Sequence, residues 1–136
     1  MTEERDLDGQ IRALAASDAR FSDGAYHFVF EALDFTIRWL GRDRAEGTER
    51  HVGGKELLEG IRRYAMREFG PLSRVVFESW GIHRTRDFGE IVFRLVDAGL
   101  LSRQDSDSIE DFDGGFDFVA AFERGYAIET TDLRLS

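Results

Sequence analysis

Apolar residues recur at three- and four-residue spacing through most of this chain, the signature of helices that each bury one stripe. Leu7, Ile11 and Leu14 predict a first helix over 7–16. Tyr26, Val29, Phe30, Leu33, Ile37 and Leu40 predict a longer one over 23–40, with Ser22 as its cap, Phe21 stapled on Tyr26 and Gly41 as its stop. The charged stretch Arg42 to Arg50 then reads as a solvated loop. Leu57, Leu58, Ile61, Tyr64, Ala65 and Phe69 predict a third helix over 54–69 that Gly70 ends. Pro71 suits the first position of a fourth helix, over 71–80, with Leu72, Val75, Val76 and Trp80 on its inner face and Gly81 as the stop. Thr85 is a natural N-cap with Asp87 in the first turn, so a fifth helix is predicted over 85–98, with Phe88, Ile91, Val92, Leu95 and Val96 inward.

Beyond Gly99 the periodicity stops. Leu100 and Leu101, the polar turn Gln104 to Ser108, and Ile109 to Phe112 read as a short hairpin or wing over 100–112. Phe116, Phe118, Val119 and Phe122 predict a short helix that packs back on the domain, and residues 127–136 read as a loosely held tail. The expected fold class is therefore mainly α: five helices in a single domain, 1–136, with a helix-turn-helix at 71–98, a short hairpin or wing at 100–112 and an acidic C-terminal arm at 103–136.

Composition narrows the function classes. A chain of 136 residues with 42% hydrophobic and 33% charged residues supports one folded core. The net charge of −9 repels nucleic acid and anionic membranes unless charge is segregated. It is segregated: residues 1–40 carry −4, residues 41–98 carry +1 and residues 99–136 carry −6. Cysteine is absent, which removes disulfides, thiolate metal sites and cysteine nucleophiles. The acidic start and the lack of a long apolar run lead to the expectation of a soluble cytoplasmic protein without membrane contact. Seventeen Arg stand against one Lys, Lys55, so the cations are suited to bidentate pairing.

The order helix, glycine-containing turn, helix, hairpin over 71–112 resembles the winged-helix superfamily, with Trp80-Gly81-Ile82 before the turn and Leu95-Val96-Asp97-Ala98-Gly99-Leu100-Leu101 after it. The resemblance implies that the fifth helix is a recognition helix displaying Arg84, Arg86, Asp87, Glu90, Arg94 and Asp97. Three cations meet three anions there, whereas a DNA reader needs a surplus of Lys and Arg on phosphates. A second resemblance covers most of residues 20–123. The strings Ala25 to Asp34, Arg50-His51-Val52, Glu56 to Arg62, Phe69-Gly70-Pro71, Asp87 to Phe93, Glu110-Asp111-Phe112 and Phe116-Asp117-Phe118 look like an uncharacterised family of small bacterial proteins of planctomycete and verrucomicrobial type. That family has no assigned activity, so the resemblance implies no catalytic residue. It tends to carry Ser where Gly53 stands, which implies a weaker start to the third helix here.

Three constellations invite chemistry. His27, Glu31 and Asp34 fall at i, i+4 and i+7 of the second predicted helix, a weak candidate metal site; the competing reading is a solvated edge on which Arg38 pairs with Asp34. His51, Gly53, Gly54 and Lys55 at the start of the third helix offer free amides to an anion, although Glu49 and Glu56 break the P-loop pattern. The acidic run Asp105, Asp107, Glu110, Asp111, Asp113 fails the EF-hand spacing and reads as a solvated wing or an acidic surface for a basic partner. No nucleophile elbow, zinc-protease or dinucleotide-binding motif is present, so no catalytic residue and no cofactor is assigned. Phe28, Phe77, Phe93, Trp39 and Phe112 lie off or at the margin of the predicted stripes and suggest an apolar surface for a partner. The leading reading is a non-catalytic protein-interaction module with a protein partner. The alternative is a DNA-associated regulator using helix 85–98, with Arg84, Arg86, Glu90 and Arg94 as contacts, and the third is a helical metal protein or enzyme.

Overall fold

A computed structural model describes residues 2–124. The helices fall where the apolar stripes place them: α1 is Thr2–Ser17, α2 Asp23–Trp39, α3 Gly54–Phe69, and after a 3-10 turn at Gly70–Leu72 comes the short α4, Ser73–Ser79. Helix α5 is Thr85–Asp97. Further 3-10 turns occupy Gly47–Arg50 and Ile109–Phe112, and a π-helical turn occupies Val119–Arg124. Among the described residues the fold is all-helical with no strand, so the hairpin or wing expected over 100–112 does not form. The physical reason lies in local capping. Glu110 N–H donates to Ser108 Oγ and Ser108 N–H to Asp111 Oδ2, both at 3.3 Å, which starts a helical turn where a strand would leave these groups unpaired. The residues beyond 124, including the tail at 127–136, lie outside the described residues.

Helix α2 runs through the centre, with α3 and α5 against it and α1 alongside. Ala25, Tyr26, Phe28, Val29 and Ala32 are all buried because α2 is covered on more than one face. Phe28 is the hub. Its ring lies 5.4 Å from Phe77, 5.5 Å from Trp80, 5.6 Å from Tyr64 and 5.8 Å from Phe69, centroid to centroid. Such offset and edge contacts add to what area burial alone contributes. The expected staple is present, with Phe21 edge-on to Tyr26 at 6.4 Å. Ser22 holds the N-cap position but makes no side-chain cap bond. Its backbone N–H instead donates to Trp80 O at 3.1 Å, tying the start of α2 to the end of α4.

One inner face and one cap differ from the expectation. In α4 the buried residues are Ser73 and Phe77, while Leu72 and Val75 are 63% and 55% exposed. The 3-10 turn at Gly70–Leu72 advances the chain by about 120° per residue against about 100° in an α-helix, which rotates the stripe. Burial of Ser73 leaves no polar group unpaired, because its hydroxyl proton is shared between Ala65 O at 3.1 Å and Gly70 O at 2.8 Å. At α5 the N-cap position is Arg84, not Thr85. Thr85 is buried and serves the C-terminal segment: Oγ1 donates to Phe112 O at 2.7 Å and accepts from Gly115 N–H at 3.1 Å.

The segment after α5 is thereby part of the core. Phe112 sits so tightly on α5 that a Cβ placed on Gly89 would lie 2.8 Å from its ring. Phe118 and Phe122 pack edge-on against Phe77 at 5.3 and 5.6 Å, and Arg74 makes a two-point contact to Glu123 at 3.0 and 2.9 Å. The expected short helix that packs back is this π-helical turn.

Candidate functional site: a cleft between α2, α3, α5 and residues 101–112

The sequence-predicted site residues are placed apart. His27 Nε2 lies 3.9 Å from Asp8 Oδ1, and Asp34 pairs with Arg38 at 3.3 Å. No group of three or more His, Cys, Asp or Glu suited to a metal occurs among the described residues. The α5 residues expected to display a charged surface are engaged within the chain. Arg84 Nε lies 3.7 Å from Asp87 Oδ1, Arg86 contacts Asp113 at 2.8 Å, Arg94 contacts Asp18 and lies 5.4 Å over Phe21, and Glu90 pairs with Arg20. Asp87 is not displayed at all. It is buried, accepts from His83 N–H and Arg84 N–H at 2.8 and 3.3 Å, and receives Arg20 Nη2 at 3.0 Å.

The aromatic surface is mostly core. Phe28, Phe77 and Phe112 are buried, and Trp39, 41% exposed, carries the Arg63 guanidinium 4.5 Å above its ring. Buried faces on both sides of α2 and on α4 place these rings where a single-stripe reading puts solvent.

The anion site expected at the start of α3 is filled from within. The Glu56 carboxylate accepts Gly53 N–H at 3.1 Å and takes both Nη atoms of Arg42 at 2.9 and 2.8 Å. Those hydrogen bonds from Arg42 hold its carboxyl below the usual glutamate range, against the opposing effect of burial and with help from Gly53 N–H. Glycine has no side chain to accept a helix N–H, so only the reciprocal half of a capping box forms, Gly53 N–H to the Glu56 carboxylate, and Arg42 holds that carboxylate in place. Arg42 also donates to His51 O at 2.9 Å. The charged stretch 42–50 is therefore an anchored loop.

That loop forms one wall of a cleft of about 210 Å³. Leu33 and Ile37 from α2, Leu57 from α3, and Val92, Phe93 and Val96 from α5 line it, with Leu101 and Phe112 from the following segment. Its polar lining includes Arg50, His51, Arg103, Asp107 and Asp111. His51 Nε2 lies 2.8 Å from Asp107 Oδ2, joining the loop before α3 to the segment after α5. The two atoms are close without hydrogen-bond alignment, and His51 Nε2 is buried. The same Asp107 oxygen accepts Gln104 N–H at 2.8 Å. Arg103 Nη2 donates to Asp107 O at 3.1 Å, and its guanidinium lies 5.1 Å from the Phe93 ring centroid. Arg50 Nη1 donates to Asp43 O.

His51 and Asp107 are legible in the sequence only as separate features; Arg50 and Arg103 are not legible there as site residues. They lie 53 positions apart, and no local pattern joins them; only the return of 101–112 across α5 does.

Among the described residues no helix is long and apolar enough to cross a membrane. No protein-family model matches the chain, and neither a curated protein nor a solved structure matches it significantly.

Proposed function

We propose that this protein is a non-catalytic protein-interaction module, a helical scaffold with α4, the turn at Trp80–Arg84 and α5 arranged as a helix-turn-helix, and that its docking site is the cleft. The observation that carries this reading is the cleft's composition: an apolar lining beside two guanidiniums, each bonded to a backbone carbonyl, with no carboxylate of the described residues within ion-pair distance. A cleft of about 210 Å³ is smaller than the roughly 300–1,000 Å³ that cofactors and drug-sized ligands occupy. It matches a single anchor side chain, and such anchors carry much of the energy of protein interfaces. The partner is a polypeptide that presents one apolar residue with a negative group beside it.

The test is a photo-crosslinking residue at Val96, on the cleft, compared with one at the exposed Val75 of α4. The expected result is a discrete protein adduct from a native lysate at Val96, competed away by unlabelled wild-type protein, with none at Val75. Equal, non-competable labelling at both positions would refute docking in the cleft.

The alternative, a DNA-associated regulator using α5, asks Arg84, Arg86 and Arg94 to exchange Asp87, Asp113 and Asp18 for phosphates. It predicts a mobility shift that weakens steeply with salt and disappears in Arg84→Glu with Arg94→Glu. The pairing favours the interaction reading, which predicts no such shift.

A further inference from the structure

Most of the described arginines of this acidic protein lie within ion-pair distance of a carboxylate. Arg20, Arg42, Arg74, Arg86 and Arg94 each lie within ion-pair distance of one. Arg50 and Arg103, both solvent-exposed at the rim of the cleft, do not. Each lines the cleft, and each is fixed through a backbone carbonyl, Asp43 O for Arg50 and Asp107 O for Arg103, with no carboxylate partner among the described residues. A guanidinium carries five N–H donors in a planar fork, so one bond to a carbonyl orients it and leaves the rest for a ligand. Arg103 is oriented twice, since it also lies over Phe93, itself part of the apolar lining.

From this arrangement we infer that the cleft binds an apolar carboxylate about one amino-acid residue in size, its carboxylate held by Arg50 and Arg103 and its apolar group against Phe93, Val96 and Leu57. The inference rests on the cleft being the binding site and goes further by naming the chemistry that fills it. Size follows from volume: about 210 Å³ is the space of roughly seven waters at about 30 Å³ each, the scale of one leucine-like residue. Charge follows from the two guanidiniums. A carboxylate is favoured over a phosphate because Asp107 and Asp111 share the cleft. His51 and Gln104 N–H engage Asp107, and Ser108 N–H engages Asp111. A singly charged planar group suits a guanidinium fork with little repulsion, whereas a second charge meets those two acids. The same chemistry is supplied by a free branched-chain acid or by the last residue of a polypeptide.

Titration of the full chain, read by amide chemical shifts of cleft residues, separates these. The probes are 4-methylpentanoate with 4-methylpentanamide, and acetyl-triglycyl-leucine with its C-terminal amide. At least one acid is expected to shift the cleft amides and to bind at least tenfold more tightly than its amide. Arg50→Gln with Arg103→Gln should reduce that preference to within twofold while the spectrum stays dispersed. A preference confined to the peptide assigns a polypeptide terminus, and one confined to the short acid assigns a free metabolite. Equal binding of acid and amide, no cleft shift with any probe, or a preference that survives in the double variant overturns the inference. A competable Val96 adduct combined with equal binding of acid and amide removes the carboxylate inference and leaves the interaction module standing. A carboxylate preference without any adduct does the reverse.

Discussion

Gly60 in α3 lies directly against Thr36 in α2: a Cβ added at Gly60 would stand 1.7 Å from Thr36 Oγ1, a hydroxyl that already donates to Ala32 O at 2.6 Å. Both residues are buried, so the absence of a side chain at Gly60 sets how closely the two central helices approach.

On an isolated helix Gly60→Ala would stabilise by about 1 kcal/mol, because alanine loses less backbone entropy. Here the sign reverses. The added methyl must push α2 and α3 apart, and overpacking of this kind costs about 1–3 kcal/mol. Urea unfolding should show a lower midpoint for Gly60→Ala, and Thr36→Ala in the same chain should recover part of the loss. A Gly60→Ala protein more stable than wild type would show that the helices slide apart freely.

Thr85 links the start of α5 to the segment that closes the cleft. Thr85→Val keeps the shape and removes the hydroxyl, leaving Phe112 O and Gly115 N–H without their partner, a cost of about 1–3 kcal/mol for buried groups. Hydrogen exchange should quicken at Gly115, while Thr85→Ser stays near wild type. Unchanged exchange at Gly115 would mean that the Phe112 ring alone secures this segment.

Glu56 makes stability depend on acid. Its carboxyl is held below its ordinary value of 4.5 in the folded state, first by the Arg42 hydrogen bonds. A depressed carboxylate contributes stability that is present above the unfolded value and is lost as pH falls through the folded one. Melting temperature should therefore drop more steeply in wild type than in Glu56→Gln below about pH 4.5, the ordinary value for this group. Glu59 and Glu123 are lowered too, chiefly by hydrogen bonds from Arg62 and Arg74, so the difference between the two curves is the quantity that isolates Glu56. Parallel curves would contradict the assignment.

Asp87 is structural. Buried and shared among two backbone N–H groups and Arg20, it holds the turn before α5. Asp87→Ala should cost about 1–3 kcal/mol, since it strips the acceptor of two backbone N–H groups at the helix start and ends the pair with the half-exposed Arg20. Chemical denaturation measures this directly, and a loss under 0.5 kcal/mol, the scale of an ordinary surface substitution, would place Asp87 at the surface.

The sequence by itself determined what depends on near neighbours along the chain. Apolar spacing of three and four, with Gly41, Gly53, Gly70, Gly81 and Gly99 as punctuation, set the long helices to within a few residues, because a helix is stabilised by contacts between residues three or four apart. The Phe21 and Tyr26 staple was legible for the same reason. The α4 face was not, since one 3-10 turn rotates it without changing the pattern. The wing was not, since Leu100, Leu101 and Ile109 to Phe112 satisfy a hairpin reading equally well until Thr85 and Gly89 supply a seat for Phe112. Of the cleft, sequence offered His51 and Asp107 as separate features and nothing that joined Arg50 to Arg103. Tertiary structure alone decided which charges were paired and which were left facing a cavity, because ion pairing and burial depend on separation in space, and helix periodicity carries no information about residues fifty positions away.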